Sequence, residues 1–156
     1  GKKIGRNNDF ILSKNEFRHT EILISGKNFG CGSSREHAVW ALRDFGINVV
    51  IAKSFGRIFK NNCTRNQLLT IELSDEKIDY IGGLVIKGRG YNLITIDLKE
   101  QMITTYDNKK IKFEVDPYLM GMLLKNQDFI DRSISHEIEI NDFIKKDKVK
   151  RHWAYL

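Results

Sequence analysis

Two short apolar runs, EILIS (residues 21–25) and INVVIA (47–52), flank the helix-patterned segment SREHAVWALRDF (34–45), and this spacing constrains the fold most. Both runs are short and rich in β-branched residues, as buried strands are. Between them, Ala38, Ala41, Leu42 and Phe45 recur at helical spacing and give one apolar face. Ser33 and Glu36 form an S-x-x-E capping box with Ser33 as the expected N-cap, and Gly46 stands where a left-handed C-cap belongs. A strand, a helix and a strand within about thirty residues make a βαβ unit, whose intervening loop lies at the first strand's carboxyl end.

The remaining chain extends this pattern. Residues 1–20 carry little periodicity and read as an extended lead-in. SFGRIFKNN (54–62) predicts a short helix and LLTIEL (68–73) a third strand. Ser74 opens another short helix, which Gly82 and Gly83 are expected to end. YNLITIDL, MITTYD and KIKFEV alternate apolar and polar residues around turn signals, the pattern of a β-meander. Pro117 follows Asp116 and suits the first turn of a helix through about Lys125. A last helix is expected from about His136 to Lys145, followed by a basic tail over 145–156. No repeat or linker appears, so residues 1–156 read as one α/β domain with a mixed sheet and covering helices.

Composition narrows the function. With 156 residues the chain can bury a genuine core, and 41% hydrophobic with 29% charged residues is ordinary globular usage. No apolar run reaches the length of a membrane span, and no secretory pattern opens the sequence. Cys31 and Cys63 lie far apart without CxxC or Cys/His spacing, which argues against zinc or a disulfide framework and fits a reducing cytosol. The net charge of +6 is spread over scattered lysines without a nucleic-acid motif, so nucleic acid is not an expected partner.

Chemistry concentrates in NFGCGSSREHA (28–38). A helix N-terminus presents unpaired N–H groups and a positive partial charge. Gly30 and Gly32 are expected to allow positive φ and close approach of a ligand, while Arg35 offers a planar fork suited to a carboxylate. Cys31 sits in the same loop with no chemical role assigned. From spacing alone two readings stand: a cap and a turn, or a cradle for a small dicarboxylic acid. The phosphate-loop pattern G-x-x-x-x-G-K-[ST] is absent, and Arg35 replaces the third glycine of G-x-G-x-x-G. No Ser-His-Asp triad can be assigned, and His37 reads as readily as a packed or surface histidine as a catalytic one.

The contiguous segment GKNFGCGSSREHAVWALRDFGINVVIAKSFGRIFKNN (26–62), followed by NQLL (66–69), resembles the swivel domain of the aconitase family, in particular the 3-isopropylmalate dehydratase small subunits. A weaker match runs from FEVD to ISHEIEI, so the resemblance covers most of residues 9–144. It implies a β/β/α swivel domain within a cytoplasmic heterodimeric hydro-lyase of leucine biosynthesis. The large subunit would hold a [4Fe–4S] cluster, and this chain would bind no metal or other cofactor. The substrate would be a dicarboxylic hydroxy acid, with Ser33 matching the serine base and Ser34 and Arg35 matching substrate-contacting positions. A homoaconitate or methylmalate hydro-lyase subunit, or a non-catalytic anion-binding partner, are the alternatives. The chain departs from the family pattern at Thr64, Arg65 and Thr70, and has Val39 where a proline is usual. LLKNQDFIDRSIS lacks the usual glycines, and the family's N-terminal substrate-selecting segment is not found before NNDFIL.

Overall fold

The computed structural model describes residues 10–32, 35–88, 91, 93–125, 134 and 136–155. Strands β1 (Ile22–Ser25), β2 (Val49–Ala52) and β3 (Leu69–Glu72) form a parallel sheet in that order. Helix α1 (His37–Phe45) joins β1 to β2, and α2 (Arg57–Arg65) joins β2 to β3. Helix α3 (Asp75–Lys87) then leads to an antiparallel meander of β4 (Thr95–Asp97), β5 (Met102–Thr104) and β6 (Lys110–Lys112). Helices α4 (Pro117–Lys125) and α5 (Glu137–Lys150) follow. Parallel and antiparallel pairing therefore occupy two separate three-stranded sheets among the described residues, not one mixed sheet.

Alternation along β2 sorts the core into two layers. Val50 packs with Val39, Ile47, Phe59, Cys63 and Leu68, the contribution of α1 and α2. Ile51 points to the opposite face and joins Ile71, Ile81, Ile103, Ile111 and Leu119, the contribution of α3, the meander and α4. Helices thus cover one face of the parallel sheet, and the second sheet with its helices covers the other.

Several elements differ from the sequence reading. Within 10–20, two 3₁₀ turns (Ile11–Ser13 and Asn15–Phe17) replace an extended segment. Helix α1 starts at His37, and its fully buried residue is Val39, whereas Ala41 and Phe45 are exposed. The Val39 N–H donates to the Glu36 carbonyl at 2.9 Å, a bond that a proline there could not make. Helix α2 starts three residues later than expected, at Arg57.

Helix α3 runs through Gly82 and Gly83 to Lys87. Each helical glycine costs about 1 kcal/mol against alanine. Burial of Ile78 and Ile81 on the same helix offsets that cost, since a buried aliphatic side chain contributes about 1.5–3 kcal/mol. Pro117 does open α4, and the Asp116 carboxylate accepts from the Tyr118 N–H at 2.7 Å, an N-cap that stops the first turn from fraying.

The basic C-terminal run is helix, not tail, as far as Lys150, and continues as a 3₁₀ turn over His152–Tyr155. Asp147 organises this end. Its carboxylate accepts from Arg151 Nε (2.8 Å) and Nη2 (2.7 Å) and from the Tyr155 hydroxyl (2.7 Å). The Arg151 fork, helped by Tyr155, holds the Asp147 carboxyl below the usual aspartate range. Read as a charge run, this segment hides a neutralised pair.

Candidate active-site loop

The segment after β1 is pinned on three sides. Asn28 adopts a left-handed conformation (φ 56°), and its N–H donates to Ser54 Oγ at 2.8 Å. Phe29 and Phe55 form an isolated parallel bridge, with Phe29 N–H donating to the Ser54 carbonyl and Gly56 N–H donating to the Phe29 carbonyl, both at 2.9 Å. Pairing of β1 with β2 is thereby resumed one loop beyond the strands. The Phe29 ring meets Phe55 and Phe59 edge-on, with centroids 6.3 and 5.3 Å away. A pocket of aromatic rings supports the loop from below.

Of the two glycines in the loop, only Gly30 needs to be one. It sits at φ 74°, and a Cβ there would fall 2.2 Å from a carbon of the buried Phe59 ring. Gly32 lies outside the left-handed region, and a Cβ on it would meet nothing within 4 Å. The expectation that both glycines supply positive φ is therefore corrected for Gly32. Sequence did not single out Gly56, where a Cβ would come within 2.7 Å of the Cys31 Cα. Close backbone crossing between the two loops requires glycine there.

Ser33 and Ser34 lie outside the described residues. Arg35 is exposed, and its carbonyl accepts from the Ala38 N–H at 3.4 Å, the first turn leading into α1. The N-cap of α1 is Glu36, not Ser33, and Glu36 makes no side-chain capping bond. Its carboxylate accepts from Asn66 Nδ2 at 3.0 Å, a tertiary contact, while the Ser33 half of the expected capping box lies outside the described residues. His37 is exposed, with its ring 4.8 Å from that of Trp40.

NQLL explains itself at the end of α2. Asn66 caps the helix, Gln67 takes φ 54°, and the Leu68 N–H closes onto the Cys63 carbonyl at 2.9 Å. Leu68 and Leu69 then enter the core. The departures Thr64, Arg65 and Thr70 lie on α2 and β3. Arg65 is exposed, Thr64 donates to the Lys60 carbonyl, and Thr70 belongs to the edge strand β3. Edge position is where a strand tolerates proline as well as threonine. Thr64 and Thr70 line a groove of about 550 Å³ with Lys60, Glu72 and Phe113. It opens at β3, whereas the glycine loop leaves β1, about 10 Å away across two strand spacings.

Charge near the strands' carboxyl ends is internally matched. Lys53 pairs with Asp79 at 3.0 Å and with Asp75 at 3.5 Å, and Lys27 reaches Asp75 at 3.4 Å. The bond from Asp79 raises Lys53 above its ordinary range. Lys27 thus ties the loop after β1, and Lys53 the loop after β2, to α3.

Among the described residues, no group of three His, Cys, Asp or Glu side chains is placed to hold a metal ion, and no helix is long and apolar enough to cross a membrane. The two thiols differ sharply. Cys31 is exposed, while Cys63 is buried under α2 and desolvation pushes its thiol up to about 12. Native protein should therefore take up one equivalent of iodoacetamide at pH 8, on Cys31, and a second after denaturation. Peptide mapping that finds Cys63 alkylated in the native state would contradict this burial.

A parallel βαβ unit backed by a second sheet, with a pinned glycine loop at the first strand's carboxyl end, defines the class. The aconitase C-terminal domain profile matches residues 2–76. A 3-isopropylmalate dehydratase small subunit of Paramagnetospirillum magneticum is 46% identical over 146 residues, covering 93% of this chain and 72% of that protein. One from Parvibaculum lavamentivorans is also 46% identical over the same shares of both chains. The crystal structure of a 3-isopropylmalate dehydratase from Methanocaldococcus jannaschii superposes with a TM-score of 0.54 at 31% identity, covering 81% of this chain and 68% of that one. The chain belongs to the family of 3-isopropylmalate dehydratase small subunits, aconitase-like α/β proteins.

Proposed function

We propose that this chain is the small subunit of a 3-isopropylmalate dehydratase and acts in leucine biosynthesis together with a large subunit. The reaction interconverts 2-isopropylmalate and 3-isopropylmalate through 2-isopropylmaleate, by loss and re-addition of water. Ser33 is the base that takes the proton from the carbon next to a substrate carboxylate. Ser34 and Arg35 hold that carboxylate, with Arg35 offering two parallel N–H donors. A serine alkoxide is a high-energy base in water, so donors and positive charge around it must favour the anion. Proton abstraction also requires the substrate carboxylate to be fixed beforehand, since a well-held reactant removes much of the entropic barrier.

A [4Fe–4S] cluster on the large subunit would supply the Lewis acid for the departing hydroxyl. Two cysteines, one of them buried, are too few for the three thiolates that would hold a cluster with one iron left open. The observation carrying the reading is the loop itself. Asn28, Phe29 and Gly30 are locked to Ser54, Gly56 and Phe59, and exposed Arg35 follows directly at the start of α1. Such fixing suits a site that must meet a substrate shared with another subunit.

Anaerobic co-expression with the large subunit tests this reading. The co-purified heterodimer should dehydrate 2- and 3-isopropylmalate to the ultraviolet-absorbing alkene, on the order of 1–10³ turnovers per second, while the isolated chain turns over neither acid. Turnover of homoaconitate or a methylmalate in place of isopropylmalate would move the assignment to a sister hydro-lyase. Tight binding of these acids without turnover would leave only the anion-binding reading.

A further inference from the structure

Glu36, Trp40 and Asn66 come from two separated motifs and meet at one point. Asn66 Nδ2 donates to Glu36 Oε1 at 3.0 Å and to the Asn62 carbonyl at 2.9 Å. Trp40 Nε1 donates to Asn66 Oδ1 at 2.8 Å. An indole N–H can only donate, so it fixes which side of the Asn66 amide carries oxygen and leaves the nitrogen for Glu36. From these contacts we infer that the Glu36–Asn66–Trp40 tie is a positioning device for the active-site turn, an inference that rests on the reading of Ser33 and Arg35 given above.

The geometry explains why such a tie is needed. Glu36 is the residue from which α1 starts, and its carbonyl accepts from both the Val39 and the Trp40 N–H. Its side chain is not spent on capping. It reaches 30 residues along the sequence to the carboxyl end of α2. Apolar packing of α1 rests on Val39, with Ala38 and Leu42 half-buried beside it, and dispersion contacts of that kind resist separation better than sliding. Directional bonds at Glu36 and Trp40 hold the first helical turn from both sides of the Asn66 amide. Arg35 precedes Glu36 directly in the same turn, so the orientation of that turn passes to the guanidinium proposed to meet substrate. A displacement of about 1 Å at such groups costs roughly a hundredfold in rate.

Three variants of the co-purified heterodimer test the tie. Asn66→Asp keeps an oxygen for Trp40 but sets an acceptor against the Glu36 carboxylate and the Asn62 carbonyl. It should lower kcat for 3-isopropylmalate by about a hundredfold while circular dichroism and co-purification stay those of the wild type. Adding Glu36→Gln to Asn66→Asp restores a donor facing an acceptor with their places exchanged. The double variant should regain at least about tenfold of the lost kcat, a coupling expected of groups in direct contact. A merely structural role would lower the melting midpoint without lowering kcat per folded molecule, and it would give no exchange rescue.

Normal kcat in Asn66→Asp, or a double variant no faster than the single, would overturn the inference. Should Asn66→Asp fail to fold, Asn66→Ala, free of the like-charge contact, takes its place, and a wild-type kcat there overturns the tie equally. A wild-type pair with no hydro-lyase activity would instead sink the functional reading. Exchange of the Trp40 indole proton then judges the tie alone: slow in the wild type and fast in Asn66→Ala supports it, and equal rates refute it.

Discussion

Asparagine at position 33 should give a chain that folds and pairs with its large subunit, in an enzyme that hardly turns over. Two structural facts separate these halves. Helix α1 begins at His37 with Glu36 as its N-cap, so the regular helix does not start from Ser33. A cap serine replaced by alanine would otherwise cost about 1 kcal/mol, and asparagine is as good a cap as serine. Stability is therefore expected to change little, by less than about 0.5 kcal/mol. Chemistry follows a different rule. A positioned general base contributes about 10²–10⁴-fold, and a carboxamide cannot take the proton in its place. The variant should lose about 3–5 kcal/mol of transition-state stabilisation, with the fall in kcat and not in KM. Alkene formation from 3-isopropylmalate measures it, with co-purification as the control for assembly. Turnover within a few fold of wild type would remove Ser33 from the mechanism and leave the loop a carboxylate cradle.

The fold was largely legible because burial repeats along the chain with the period of each element. EILIS, INVVIA and LLTIEL became β1, β2 and β3, and Gly46 closes α1 at φ 106°. The meander and the Pro117 helix were equally visible. Misreadings arose where a tertiary contact overrides a local signal. Gly82 and Gly83 signal a stop, but the burial of Ile78 and Ile81 carries α3 past them. S-x-x-E draws attention to local capping, but the Glu36 carboxylate also meets a partner 30 residues away that no local signal announces. The lysine run after Lys145 hides a helix because Asp147, which binds Arg151 and Tyr155 at its end, looks like one more charge in the string.

The glycine loop was marked by resemblance as a candidate site, but its supports were not legible. Ser54, Gly56, Phe59 and Asn66 carry no chemical signature of their own. Each matters only through a neighbour brought near by the parallel crossover. What local sequence could have offered was a hint. SF, IF and NQLL are parts of the matching segment with no chemistry to perform, and residues of that kind in a contiguous motif serve as the frame of a site more readily than its reagents.

The frame itself makes the last prediction. Gly30 and Gly32 are indistinguishable in the motif GCG, yet alanine at the two positions should behave oppositely. At Gly30 a Cβ would lie 2.2–2.6 Å from three carbons of the Phe59 ring, far inside van der Waals contact. Phe59 is 2% exposed and packs against both Phe29 and Phe55, so the ring has little room to retreat. Overpacking of a core costs about 1–3 kcal/mol. The left-handed backbone at φ 74° adds about 1–2 kcal/mol for any residue with a Cβ. Together these reach about 2–5 kcal/mol, a large part of the roughly 5–15 kcal/mol that holds a domain folded. For a chain of this size that is a fall of about 5–20 °C in the melting midpoint of Gly30→Ala. Gly32→Ala meets neither penalty, since its Cβ contacts nothing and its φ is not left-handed, and its midpoint should stay within about 2 °C of wild type. Thermal denaturation of both variants, followed by circular dichroism, decides the matter. Equal midpoints would mean that the Phe59 ring yields to the new methyl group, and that the loop is not pinned on the aromatic cluster.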